Sequence, residues 1–253
     1  MSRFLKLHSA DPARRFGTVL RRSWPSMDSA YLAAFGANAR CTELLEEERW
    51  LAAAALPPLP FLQFSTPVES PVDLADRREA LWLSAEAEDV QADLQAGTVL
   101  LAADELLQTL ARGLAVPALE HGPLINGVRL STLLRTATNA IRHVAQWDDD
   151  PDLSFPYPSL ASVPNDKEHN NLRRALRNIE VIHRAFGIGA HERLTDPVSF
   201  RVLVAVDGQL GTGDPDFRRF ARTLIETAES IAAAAGSDAQ ASLRATLVPL
   251  LTV

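Results

Sequence analysis

The sequence is poor in sulfur and lysine and has no long apolar run. A single cysteine, Cys41, stands among 253 residues, so no disulfide framework can form within the chain. That points to a reducing compartment. Its setting, "ANARCTELL", has a helical pattern, and a small buried hydrophobe is expected there rather than a nucleophile. No apolar stretch reaches the roughly 18 residues of a membrane-spanning helix. The candidates "WLAAAAL" and "IAAAAG" are short and alanine-rich. The start carries no charged-then-apolar leader, so a cytoplasmic protein with no membrane partner is expected.

Several site signatures are missing as well. "GQLGTGDP" has glycines but no lysine, and it reads as a turn rather than a phosphate loop. His8, His121, His143, His169, His183 and His191 are scattered, with no His-x-x-x-His pair and no cysteine cluster, so zinc is not supported. "DDDPD", Asp148 to Asp152, lacks the spacing and glycine of a calcium loop and reads as a solvated acidic loop. No G-x-S-x-G elbow occurs. The expectation is no metal and no cofactor.

The formal charge of −7 excludes general nucleic-acid binding by bulk electrostatics, so any such contact must be a local basic patch. Lys6 and Lys167 are the only lysines, which leaves arginine as nearly all of the basic side chains. With abundant Ala and Leu, that usage fits a GC-rich bacterial coding sequence. The first 22 residues hold Arg3, Lys6, Arg14, Arg15, Arg21 and Arg22 against Asp11 alone. They read as a basic, solvated N-terminal segment.

A chain that is 47% hydrophobic can bury a sizeable core. Ser29 to Leu56 has good helix formers and no proline. "PPLPFLQFSTPVESP" follows as a strap, whose Phe61 and Phe64 are expected to pack down. Ser84, with Glu86 and Glu88 behind it, is expected to open the next helix. "VPALEHGPLING" reads as a loop, and Leu130, Leu134, Ala137, Ile141 and Val144 mark an amphipathic helix. "DDDPDLSFPYPSLASVPND" is a second Pro-rich loop. A helix from about Lys167 to Phe186 stops at Gly187 and Gly189. Thr195 and Pro197 start another, in which "RVLVAV" has a short buried strand as its alternative. "DGQLGTGDP" is a turn, and helices at Asp216 to Ala235 and Ser237 to Leu251 end the chain. No alternating β and α units and no internal repeat are visible. The fold expected is all-α, a helical bundle of about six to seven helices with two Pro-rich connecting loops. Its divisions are a basic segment over 1–26, a main bundle over 27–190 and a C-terminal helical extension over 191–253 packed on it.

The stretch "LLRTATNAIRHVAQWDDDPD" carries the chemistry. Asn139 and His143 are four apart on one helix face, and Arg135, Arg142 and Gln146 fall on the same stripe. A histidine beside an arginine suffices to cleave RNA without metal. The 2′-hydroxyl attacks its own phosphate, histidine moves a proton near neutral pH, and arginine binds phosphate bidentately. The competing reading is a solvated polar face.

"TNAIRHVAQWDDD" resembles the signature of the HEPN superfamily, in which Arg is followed by a polar residue (often Asn), a few residues and His. An aromatic and an acidic residue often trail it. Asn139 and His143 match, with Trp147 and Asp148 to Asp150 trailing; the Arg position is Thr138. Arg142, one turn on, and Arg135, one turn back, are the candidates to supply the guanidinium. The resemblance implies a small helical bundle that cleaves or binds RNA in a bacterial toxin–antitoxin or phage-defence system. It also implies a homodimer, and an antitoxin or other protein is a candidate partner. A second match is "RNIEVIH", with Arg177, Asn178 and His183. Leu172, Leu176, Ile179 and His183 share a face there, so His183 is expected to lean into the core. The alternative function is a non-catalytic regulatory or scaffold protein whose Arg-rich face docks on an acidic protein.

Overall fold

The computed structural model describes residues 11–54, 71–148, 153, 156–186, 198–208 and 214–251. Among them, seven α-helices, one two-stranded hairpin and a short 3-10 helix make up the regular structure. Helix α1 spans Pro12–Ala54 and α2 spans Pro71–Leu114. At 1.5 Å rise per residue each is about 65 Å long. Ion pairs Arg40–Glu88, Arg77–Glu47 and Arg78–Glu48 fix them as antiparallel partners.

The seam between the two helices is written in the sequence at alternating three- and four-residue steps. On α1 it holds Ala13, Phe16, Leu20, Met27, Tyr31 and Ala34; on α2 it holds Ala92, Ala96, Val99, Ala103, Leu106 and Leu110, all buried. That spacing keeps one stripe of each helix on its partner. The alanines on α2 let the backbones approach, and each fully buried large side chain contributes about 1.5–3 kcal/mol.

Both helices begin earlier than expected. The helix expected from Ser29 starts at Pro12, and the one expected from Ser84 starts at Pro71. Proline is favoured in the first helical turn, where its missing N–H is not needed. Ser84 is interior to α2 and donates its hydroxyl to the Ala80 carbonyl at 2.8 Å. The boundary expected at 26/27 therefore falls inside α1, because Phe16 and Leu20 of the basic segment are core residues. Cys41 is half-buried on α1, and burial beside Asp89 and Glu88 pushes its thiol pKa up.

Strands β1 (Leu124–Ile125) and β2 (Val128–Arg129) pair antiparallel, with Leu124 opposite Arg129 and Ile125 opposite Val128. The "VPALEHGPLING" loop thus contains a tight hairpin. Asn126 and Gly127 both have positive φ, +48° and +81°, as a two-residue type I′ turn demands. The hairpin feeds directly into α3, Leu130–Asp148. The Ser131 hydroxyl accepts the His121 N–H at 2.8 Å, and Thr132 Oγ1 accepts the Glu120 N–H at 3.2 Å.

A 3-10 turn at Leu160–Ser162 precedes α4, Asn170–Phe186. Helix α5 (Ser199–Gly208) takes the place of the alternative strand at "RVLVAV", and α6 (Phe217–Ala235) and α7 (Ser237–Leu251) follow. Asp216 caps α6 by accepting the Arg218 N–H at 2.9 Å. Val202, Phe217, Leu224, Ile231 and Leu243 join the same core cluster as the α1–α2 seam. The expected C-terminal extension over 191–253 is therefore continuous with the main bundle through its core. The first Pro-rich strap with Phe61 and Phe64, the Thr195–Pro197 start, most of "DGQLGTGDP" and the basic residues Arg3 and Lys6 lie outside the described residues. Among the described residues, no helix is long and apolar enough to cross a membrane.

Asp11 ties the ends of the bundle together. Its carboxylate accepts the Ala13 N–H at 2.9 Å as the α1 cap and accepts the Ser242 hydroxyl from α7. The Ser242 hydrogen bond is the main cause that holds its pKa below the ordinary carboxylate value, with burial opposing. Asp11→Ala is expected to cost about 1 kcal/mol at neutral pH. A depressed folded pKa gives stability that is present above the unfolded value and lost as pH falls through the folded one. The gap between wild type and Asp11→Ala, read by urea denaturation, should thus shrink below about pH 4.

Candidate anion-binding cleft

Helices α3 and α4 pack through Ala140, Ile182 and Phe186, and their polar stripes diverge to leave a cleft of about 790 Å3. The α3 wall presents Thr132, Arg135, Thr136, Asn139, Arg142 and His143. These positions recur every three or four residues and fall within about 120° of helix surface at 100° per residue. The opposite stripe is the one expected to be core: Leu134 and Ala137 are buried and Ile141 is half-buried. The side chains of Val144, Gln146, Trp147 and Asp148 to Asp152 lie outside the described residues.

The α4 wall presents Asn171, Arg174, Arg177 and Asn178. Helix α4 is amphipathic: Ala175, Leu176 and Ile179 pack on Leu153 and Val163 of the second Pro-rich loop. Arg173 holds that loop by donating to the carbonyls of Leu160 and Val163. Arg174 and Arg177 are exposed and line the cleft.

The two sequence matches therefore share one cleft, except for a single residue. Arg135, Asn139, Arg142 and His143 of the first meet Arg177 and Asn178 of the second. His183 is not among the lining residues. It follows Asn178 by five positions, about 140° round the helix. It is half-buried, as its apolar face-mates suggest, with its ring centroid 6.1 Å from that of Tyr157. Arg174 and Asn171 were not singled out by motif. Their signal was present as a polar i, i+3, i+7 stripe with Asn178, set against Leu172, Leu176 and Ile179.

Thr138, at the position where the resemblance places an arginine, is fully buried. Its hydroxyl donates to Asp104 Oδ2 on α2 at 2.9 Å. Arg135 Nη1 reaches the same oxygen at 3.1 Å, and Gln108 Nε2 donates to Oδ1 at 3.4 Å. Asp104 is 1% exposed and Arg135 is 37% exposed in their side chains. Arg135 thus neutralises a buried carboxylate with one edge of its guanidinium while lining the cleft with the rest. Sequence reasoning passed over Asp104. It stands four residues after Leu100 and three before Leu107, both buried, so it is a lone acid in an apolar stripe.

The charge balance of the cleft is one-sided. Arg135, Arg142, Arg174 and Arg177 line it with His143, and no acidic side chain lines it among the described residues. Arg142 and His143 are exposed. Arg142, Arg174 and Arg177 make no ion pair among the described residues, whereas Arg40, Arg78, Arg112, Arg219 and Arg244 elsewhere are each matched to a carboxylate. Asparagine and threonine add neutral donors. Such a set has the chemistry to take a multiply charged oxyanion, with guanidinium forks for phosphate oxygens and amides for the remainder. No group of His, Cys, Asp and Glu among the described residues is arranged to hold a metal ion.

Removing Arg135 leaves Asp104 charged and buried, so Arg135→Ala is expected to destabilise the fold by about 3 kcal/mol. Thr138→Val loses one hydrogen bond and is expected to cost about 1–2 kcal/mol. Arg142→Ala removes an exposed charge and should leave the denaturation midpoint unchanged. Thermal unfolding followed by circular dichroism ranks the three. Comparison with known protein families, with curated protein sequences and with solved structures finds no match to this chain.

Proposed function

We propose that the α3–α4 cleft binds RNA through its phosphates, in the cytoplasm, and that His143 cleaves the bound strand without metal. The observation that carries the reading is the set of four arginines and one histidine in a cleft with no acidic lining residue among the described residues, on a chain whose net charge is −7. An acidic protein cannot hold RNA by its bulk charge, so a local cationic groove is what such binding requires.

The chemistry follows from the groups present. His143 takes the proton of a ribose 2′-hydroxyl as that oxygen attacks the adjacent phosphorus. The P–O5′ bond breaks, and the leaving oxygen takes a proton from water. The products are a 2′,3′-cyclic phosphate and a 5′-hydroxyl. Arg142 and Arg177 offset the charge that builds on the phosphate oxygens, and Asn139 orients the strand or the imidazole. Arg135 assists from its tether on Asp104. The HEPN resemblance supports this assignment and adds a homodimer and a toxin–antitoxin or phage-defence setting to the proposal.

A second reading is binding without turnover. It is favoured by Thr138, which is buried on Asp104 where the signature has its arginine. In that case the arginines hold RNA, or the acidic face of a regulated protein, and His143 is a contact residue only.

The test uses a labelled oligoribonucleotide in chelator, followed by anisotropy for binding and by gel for cleavage. Arg142→Ala, Arg174→Ala and Arg177→Ala should each weaken binding about tenfold and lower the salt slope by about one. His143→Ala should retain binding and abolish cleavage, whereas His183→Ala should retain both. Cleavage that survives His143→Ala overturns the catalytic assignment. Binding by wild type with no cleavage leaves the second reading. RNA affinity indifferent to all three arginines removes RNA from the cleft in both.

A further inference from the structure

The distal half of α2 carries a second apolar seam, on the face turned away from α1. Ala80, Leu83, Ala87, Val90 and Leu94 are all exposed, and they follow one another at alternating steps of three and four residues. At 100° per residue they lie within about 80° of helix surface. Leu83, Val90 and Leu94 are at least half exposed (53%, 50% and 63%). Isolated exposed leucines are ordinary, but a heptad-spaced row of them on a solvent face is the pattern that receives another helix.

The fold itself shows what covers this face elsewhere. The next seam position, Gly97, is buried, and a Cβ there would stand 3.5 Å from the Ser199 hydroxyl at the start of α5. Asp93 caps α5 by accepting the Phe200 N–H at 3.0 Å. The outer face of α2 is thus covered by a helix inside the bundle and bare from Leu94 outward. The charge along the seam is asymmetric. Glu79 and Glu86 flank one edge, exposed and in no ion pair among the described residues. The carboxylates Glu47, Glu48 and Glu88 between α1 and α2 are all matched by arginine. Ser84 and Gln91 flank the other edge.

We propose that this seam is the docking site for an amphipathic helix of a partner protein, one whose apolar stripe is flanked by Lys or Arg. Leu83, Val90 and Leu94 supply the apolar contact, and Glu79 and Glu86 select the basic flank. A second copy of this chain fits less well. Antiparallel pairing sets the carboxylate edge against itself, and parallel pairing sets it against Ser84 and Gln91, with no cation for it in either case.

The test titrates the full chain against two labelled helical peptides of about three heptads with the same leucine stripe. One carries arginine on both flanks and the other carries glutamate. The arginine peptide should bind about tenfold more tightly at low salt, with the preference shrinking at high salt. Leu83→Asp with Val90→Asp should weaken it at least tenfold while the thermal midpoint stays unchanged, and Arg142→Ala in the cleft should have no effect. Equal binding of the two peptides, no binding, or binding that survives the double substitution overturns the proposal. So does a wild-type dimer in sedimentation that Leu83→Asp dissociates, which would assign the seam to a second copy.

Discussion

A carboxylate taken out of water needs charge and hydrogen bonds around it, and Asp104 meets that requirement with α3. Its two oxygens gather Thr138, Arg135 and Gln108 in a setting 1% exposed to solvent. Leaving such a group unmatched costs several kcal/mol, more than any single surface contact returns. Because Thr138 and Arg135 are three residues apart, meeting both fixes the rotation of α3 about its axis. Once that rotation is set, Asn139, Arg142 and His143 have only one direction to face. The cleft depends on this one buried interaction more than on any contact within the cleft.

The second wall is positioned by hydrophobic burial and by Arg173. Helix α4 sits on Leu153 and Val163 through Ala175, Leu176 and Ile179, while Arg173 closes the carbonyls of the Pro-rich loop. The two arginines nearest to it in sequence, Arg174 and the more distant Arg177, are left on the open side. Among the described residues, only Arg135 of the four arginines in the cleft is tied to a carboxylate. The other three give the imidazole of His143 cationic company on a chain whose net charge is −7.

The long α1–α2 hairpin does two jobs with opposite faces of one helix. The inner face of α2 packs on α1 through small side chains, and its outer face meets α5 and α3 near Gly97, whose Cβ position lies 3.5 Å from Ser199 and 3.6 Å from Ile141. Beyond that point the hairpin extends as an arm held by interhelical ion pairs. Exposed apolar side chains persist along it where the bundle no longer supplies a cover.

The amino-acid order by itself determined the helical class and the polar stripe of α3, because each rests on local periodicity. It also carried signals that went unused: Asn126-Gly127 for the hairpin, Pro12 and Pro71 as helix starts, and Asp104 as an acid in an apolar stripe. Only the tertiary structure decided that Arg177 and Asn178 face the same cleft as His143 while His183 does not. Periodicity assigns faces to each helix separately, whereas the angle between two helices follows from packing and from buried charge pairs far apart in sequence. For the same reason Phe16 and Ile231 are brought into one cluster by contacts that no local pattern records.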